Sequence, residues 1–454
     1  MKKLSASKMW LFAVGQLGWS LLSGVISSWL VYFYQPDLAT KGSVKTVFIP
    51  QGLAILGIIT IIGAIAALGR IFDAVTDPWI ASLSDRCKSK NGRRIPFLKW
   101  SALPLAASTV LVFCAPVNGT SWFNALWLFV FVILYYISIT AYCTPYNALI
   151  AELGHTSKER LNISTVISLT FFLGTALGYQ ASAIWKIFEP SMGRVAAVRV
   201  TFLIFAVIAY LCMMVPVVAI KEKEYVIAKP SEGSAVSSLV STFKNKNFRV
   251  FVASDILYWI ALTMFQTGLV FFVTSLLGLD TAMSGVYFII MSVLSVVFYM
   301  PVNIISRKVG KKILVLFAFA LFSIAYLFTS FFGTFMGITP VMQGYILVVL
   351  AALPMAIFGI LPNAIVADIA ESDAKISGQN REGMFYAART FAFKMGQSIA
   401  MLIFTAVATI GMGNGRGYRL VAIIACIFCV LGGVVLFFYD EKSVDDILKK
   451  DKLS

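Results

Sequence analysis

Residues 51–98 read QGLAILGIITIIGAIAALGRIFDAVTDPWIASLSDRCKSKNGRRIPFL, and this stretch decides the fold. Its first part is apolar almost without interruption. Arg70, Asp73 and Asp77 sit inside the run, and a basic turn from Ser84 to Arg94 closes it. A helix of about 20 mostly apolar residues crosses a bilayer. An apolar run that delivers the chain into a basic turn is the pattern of a membrane helix ending on the positively charged side.

The same pattern repeats outward in both directions. Candidate spans run 9–34, 51–80, 98–116, 122–152, 163–186, 197–219, 250–274, 283–304, 313–333, 342–368, 385–411 and 419–439. The expectation is an all-α membrane protein with twelve transmembrane helices. The chain of 454 residues is 59% hydrophobic and 13% charged, against about 25% charged for an ordinary soluble domain. Met1-Lys2-Lys3 before an apolar run imitates a signal peptide, but the run to Tyr34 is too long for one and is read as a retained first helix.

Composition also excludes several functions. The net charge of +16 comes from Lys and Arg in short loops between apolar runs, which points to membrane orientation and away from nucleic acid. The six cysteines show no metal spacing and no disulfide framework. His155, the one histidine, lies in a short polar loop, so histidine catalysis has almost no material. No nucleophile–base pair marks an enzyme, and no G-x-x-x-x-G-K-[ST] loop marks a primary pump.

Lys and Arg place both termini on the cytoplasmic side of a cell membrane. That assignment puts Lys88, Lys90, Arg93, Arg94, Lys244, Lys246, Lys311 and Lys312 inside, and leaves Lys41, Lys45, Lys186, Arg194, Arg199, Arg416 and Arg419 outside. The polar stretch 220–248 reads as a cytoplasmic linker. It separates an N-terminal six-helix bundle, 1–219, from a C-terminal one, 249–440, which a cytoplasmic tail, 441–454, follows. The turn Ser84-Asp85-Arg86 to Gly92-Arg93-Arg94 recurs as Ser306-Arg307-Lys308-Val309-Gly310-Lys311-Lys312 at the matching place in the second half. Two parallel halves with substrate near the midplane are one transporter architecture. The basic turns are expected to latch the cytoplasmic side through Asp85, Arg86, Arg93, Arg94, Arg307 and Lys308.

Ionisable residues inside spans are functional hypotheses by default. Asp73 and Asp77 are four apart and share a helix face, with Thr76 beside them. Two carboxylates and a hydroxyl in a low dielectric suit Na+, while repulsion between them equally suits a shared proton. Pairing of Arg70 with Asp73 would also explain them. In the second half Asp255, Arg389 and Lys394 lie within spans, and Asp368 and Glu371 near a span end. Lys394 requires a carboxylate or substrate partner, with Asp73 or Asp77 the obvious choice, unless it snorkels to the interface. Trp19, Tyr142 and Tyr146 offer faces that could stack on a sugar ring, or simply pack.

Three segments carry a family resemblance. They are RIFDAVTDPWIASLSDRCKSKNGRRIPFL at 70–98, PYNALIAELGHTSKERLN at 145–162 and ADIAESDAKISGQNREGMFYAARTFAFKMGQS at 367–398. They resemble the glycoside–pentoside–hexuronide:cation symporters, the melibiose-permease-like branch of the major facilitator superfamily. The resemblance implies a major facilitator fold of two pseudo-repeated six-helix bundles. It implies a cation site at Asp73, Asp77, Thr76 and Thr140, with Lys394 interacting with that site and Arg389 and Thr390 facing a central cavity. The chain departs from the sugar-binding pattern at Leu17 beside Gln16, at Cys143 and at Thr165, where sugar-carrying members offer an aspartate, an aspartate and an arginine.

The expected function is symport of a small solute, a sugar or glycoside, coupled to Na+ or H+ by alternating access. The alternatives are a more apolar solute such as a lysolipid, or an uncoupled facilitator. Gln16, Trp19, Tyr142 and Cys143 complete the expected cavity lining. No cofactor beyond the coupling ion is expected, and no metal beyond Na+. The partners are substrate and membrane lipid, and the chain is expected to work as a monomer.

Overall fold

The computed structural model describes residues 4–36, 46–154, 157–225, 242–335, 337–378, 382–411 and 413–449. The centre of the expected linker and His155 lie outside them. Among the described residues the regular structure is helical, apart from a lone bridge between Ile55 and Ile59. The helices are α1 (Ala6–Tyr34), α2 (Ile61–Arg86), α3 (Ile95–Val112), α4 (Trp122–Leu153), α5 (Ser157–Tyr179), α6 (Ala181–Met192) and α7 (Arg194–Ala219). After a 3-10 turn at Glu222–Glu224 come α8 (Lys246–Phe271), α9 (Thr281–Val309), α10 (Lys311–Ser330), α11 (Pro340–Ser377), α12 (Glu382–Val407), α13 (Arg416–Phe437) and α14 (Glu441–Lys449).

Among the described residues, eleven helical stretches are long and apolar enough to cross a membrane. The chain is a multi-pass membrane protein. Helix α2 is absent from that set because Arg70, Asp73 and Asp77 fall inside its 26 residues. The clearest departures from the sequence expectation are at the second and fifth spans. Helix α2 starts at Ile61 rather than at 51, because 52–57 is taken up by turns with positive φ at Gly52, Leu56 and Gly57. The fifth span breaks at Gln180, so α5 and α6 share one apolar stretch, Asn162–Met192. Hydropathy sees that stretch as continuous and cannot register the break.

The chain divides into two compact units, Met1–Glu232 with Asp280–Gly285, and Gly233–Leu279 with Val286–Ser454. In the first, α1 packs on α5 and α7, α3 packs on α4 and α7, and α2 packs on α4. In the second, α8 packs on α12 and α13, and α10 packs on α11 and α13. First helix on fifth and sixth, and third on fourth and sixth, is one plan used twice.

The repeat extends to the helix ends. A helix leaves four N–H and four C=O groups without intrahelical partners, and its dipole favours an anion at the first end and a cation at the second. The Glu222 carboxylate, just past α7, accepts from the backbone amides of Arg93 (2.8 Å), Arg94 (2.9 Å) and Ile95 (3.0 Å) at the start of α3. Arg199, near the start of α7, donates to the carbonyls of Phe113 (3.0 Å) and Ala115 (3.1 Å) at the far end of α3. In the second unit Glu441 accepts from Lys311 (2.7 Å) and Lys312 (3.2 Å), and Arg419 donates to Ser330 and Phe332 (2.7 Å each). Gly92 and Gly310, with φ of +106° and +93°, lead the chain into α3 and α10, and each packs against the capping carboxylate. Only glycine takes that conformation cheaply.

Candidate functional site

Helix α2 starts cleanly because Thr60 caps it, accepting from the Gly63 amide at 3.1 Å. Pro78 removes a backbone donor within the helix, and Pro145 does the same in α4. Where α2 meets α4, Gly69 allows close approach. A Cβ there would overlap the Tyr136 ring and stand 2.8 Å from Val132 Cγ1. The Arg70 guanidinium lies 5.5 Å from the centre of that ring.

One turn further, Asp73 is 7% exposed and accepts a hydrogen bond from Thr140, which is 2% exposed. Thr76 bonds back to the Phe72 carbonyl at 2.8 Å and lies 3.5 Å from Thr140 Oγ1. One turn further again, Asp77 accepts from Thr144 at 3.0 Å. The structure thus brings Asp73, Asp77, Thr76 and Thr140 together on one seam. It adds Thr144, which the sequence reading missed. An Asp–Thr pair at one level, with the next residue of each helix face one turn on, is the signal that could have found it. Among the described residues no group of three or more His, Cys, Asp or Glu side chains could hold a metal ion. Two carboxylates and neutral hydroxyls form a hard-oxygen set.

The expected cavity residues of the first unit divide. The Tyr142 hydroxyl is committed to the Met213 carbonyl at 2.8 Å, and Tyr146 to the Phe12 carbonyl at 2.7 Å, stacked on the Phe12 ring at 4.4 Å. These two tyrosines hold α4 to α7 and α1. Cys143 is half-buried. Gln16 Oε1 and Trp19 Nε1, one turn apart on α1, are buried and have no hydrogen-bond partner among the described residues. An acceptor and a donor left open inside a protein are costly unless something else fills them.

In the second unit Arg389, expected to face a cavity, is instead sunk into an ion pair. Its Nε and Nη2 donate to the two oxygens of Asp255 at 2.8 and 3.1 Å, and Nη1 donates to the Asn363 side chain. The two charges are 7% and 5% exposed, so the pairing offsets a desolvation neither could bear alone. Tyr386 donates to the Asn363 carbonyl at 3.0 Å. Thr390 and Lys394 follow on α12, both half-buried. Lys394 thus belongs to the second unit and Asp73 and Asp77 to the first.

The expected latch residues also divide. Arg94 is buried against Asp85, Ser84 and Glu152, and Arg93 pairs with Glu152 at 2.7 Å. Arg86, Arg307 and Lys308 are exposed. The ion pair in the second unit is made by the neighbouring Lys311 side chain with Asp368, while the Lys311 backbone amide donates to Glu441. Glu152, Glu222 and Glu441 were missed because a glutamate among lysines at a helix end looks like ordinary solvated charge.

The chain is similar to several known membrane transporters. An uncharacterized symporter of Synechocystis sp. is 22% identical, over 88% of this chain and 85% of its own length. The putative glycoside/cation symporter YagG of Escherichia coli is 24% identical over 75% and 72%. The isoprimeverose transporter of Lactiplantibacillus pentosus is 23% identical over 59% and 52%. Among solved structures, the nucleoside transporter NupG matches with a TM-score of 0.68 at 13% identity, covering 96% of this chain and 100% of that one. A bacterial homolog to the human lysosomal transporter Spinster matches with a TM-score of 0.63 at 14% identity, over 98% and 96%. At such identities the structural likeness is one of fold, that of the major facilitator superfamily. The family model for MFS/sugar transport proteins matches residues 11–440, and the chain belongs to that family of membrane transporters.

Proposed function

We propose that this transporter is a cation-coupled symporter of a sugar or glycoside, with Asp73, Asp77, Thr76 and Thr140 holding the coupling ion. The observation that carries the reading is the Asp73–Thr140 pair beside Asp77, a buried carboxylate–hydroxyl cluster inside an apolar helix seam. Such groups are expensive within a membrane and are retained for ion or proton handling. An ion bound there neutralises charge. Its differential affinity for the alternating states is what couples its gradient to solute movement. Gln16 and Trp19 supply the polar contacts for the solute. An open acceptor and an open donor one turn apart suit hydroxyl groups, which give and take hydrogen bonds at once. The related YagG and isoprimeverose transporters favour a glycoside as cargo. The protein acts in the cell membrane as a monomer, with both termini cytoplasmic, in accord with the Lys and Arg of its loops.

The test is uptake by purified protein in liposomes. Labelled glycosides, pentosides and hexuronides are presented beside lysolipids, with an inward Na+ gradient, an inward proton gradient or neither. The expected result is uptake of a sugar that requires one gradient and is lost in Asp73→Asn. Uptake that ignores both gradients and survives Asp73→Asn would sink the coupling reading. Movement of a lysolipid with silence across the sugars would sink the substrate reading alone.

A further inference from the structure

The α2–α4 seam is in constant register. Asp73 pairs with Thr140 and Asp77 with Thr144, and each partner lies 67 residues further along the chain. Gly69 and Tyr136 meet at the same offset. Positions four apart lie on one face of a helix, so equal offsets mean two parallel helices stacking their pairs one turn above another. The lowest rung packs the Gly69 backbone against the Tyr136 ring, and the next two are carboxylate–hydroxyl pairs. Asp77–Thr144 is a built rung of that ladder.

We propose that Thr144 is a ligand of the coupling ion and the specificity-determining residue that makes the site take a metal cation, Na+, rather than a proton. The proposal rests on the reading of Asp73 and Asp77 as the ion site. A proton needs a single oxygen lone pair, and either carboxylate supplies one unaided. A dehydrated hard cation needs several oxygens at once. Asp73 already has Thr140 and Thr76 beside it, whereas on the Asp77 side the neighbouring neutral oxygen on α4 is Thr144. The Thr144 hydroxyl donates its hydrogen to Asp77 and keeps its lone pairs for a cation, completing the oxygen set without adding charge. Of the charged and titratable groups nearby, Arg70 on α2 and Tyr136 and Cys143 on α4 surround Tyr135 at the Asp73 level. Replacing Thr144 removes the neutral oxygen that α4 sets beside Asp77.

The experiment titrates purified full-length protein with NaCl against choline chloride at neutral pH and reads intrinsic tryptophan fluorescence. Wild type, Asp73→Asn, Thr144→Val and Thr144→Ser are compared, with size exclusion and thermal unfolding to confirm that each is folded. Thr144→Ala is a second deletion of the hydroxyl should the valine variant misfold. The expected result is a saturable Na+ response in wild type that Asp73→Asn abolishes. In Thr144→Val the half-saturating Na+ should rise about tenfold or more, the range typical for lost metal-site partners, while Thr144→Ser restores it. A merely structural role would lower unfolding temperature without moving half-saturation, and serine would have nothing to restore. If wild type responds, Asp73→Asn does not, and Thr144→Val keeps the wild-type half-saturation, the assignment of Thr144 is wrong and the ion site stands. If wild type and Asp73→Asn both show no saturable response, the ion site and Thr144 fall together.

Discussion

Arg199 and Glu222 hold opposite ends of the same helix. Arg199 donates to the carbonyls after α3, Glu222 accepts from the amides that begin it, and both extend from α7 and the turn behind it. The cation sits at the negative pole of α3 and the anion at its positive pole, so both contacts also favour the helix dipole. Arg419 and Glu441 repeat the arrangement on α10.

Neutralising the capping carboxylate should therefore be costly. Glu222 is 2% exposed and takes three amide hydrogens. Glu222→Gln loses the charge and turns an NH2 group toward donors, for an expected loss of about 1–3 kcal/mol. Thermal unfolding in detergent should fall by several degrees, with Glu441→Gln showing a smaller drop because its carboxylate holds two amides. An unchanged midpoint in Glu222→Gln would refute the capping role.

Gly69→Ala should separate α2 from α4. The added Cβ overlaps the Tyr136 ring, and overpacking of this kind costs about 1–3 kcal/mol. Ion-dependent uptake should fall further than stability does, since the Asp–Thr rungs above depend on the spacing. Tyr136→Leu in the same chain should recover part of both losses, because the two changes share one contact. Equal losses in the single and double variants would count against the close-approach account.

Removing one partner of the Asp255–Arg389 pair leaves a buried charge uncompensated, an expected loss of about 3–5 kcal/mol. Asp255→Asn and Arg389→Met should each express poorly or unfold early. The double variant should be more stable than either single one. Additive losses would mean that the two charges do not depend on each other.

Gln16→Leu makes the opposite prediction for stability. Its buried Oε1 has no partner among the described residues, so its loss should leave unfolding unchanged or raise it by up to about 1–3 kcal/mol. Uptake should show a raised KM for the sugar. A variant that loses stability and keeps its KM would show Gln16 to be structural.

Much of this was legible from the sequence, and the omissions share a cause. Apolar runs and basic turns gave the all-helical membrane architecture, because a bilayer imposes helix length and loop charge directly. Asp73 and Asp77 stood out as charges one turn apart in an apolar run. Thr140 was reached through the family resemblance, and Thr144 was passed over because a threonine in a membrane helix usually satisfies itself on its own backbone. What pairs Thr144 with Asp77 is the register between two helices, which no local pattern encodes. Asp255 and Arg389 were each visible as buried charges, but 134 residues separate them and nothing local joins them. Glu222 lay in a Lys-Glu-Lys-Glu string whose composition reads as solvent.

The common offset along the α2–α4 seam bears on how such a chain tolerates insertion and deletion. The segment between the two helices, including the 113–121 connection, can change length and alter all three offsets together, leaving every rung matched. A single residue gained or lost between Gly69 and Asp73 would rotate the following rungs by roughly 100° about the α2 axis and part both carboxylates from their hydroxyls. Length variation among natural relatives and engineered chains should therefore be tolerated in the connection between the two helices and absent within these two nine-residue stretches, even where individual side chains are exchanged.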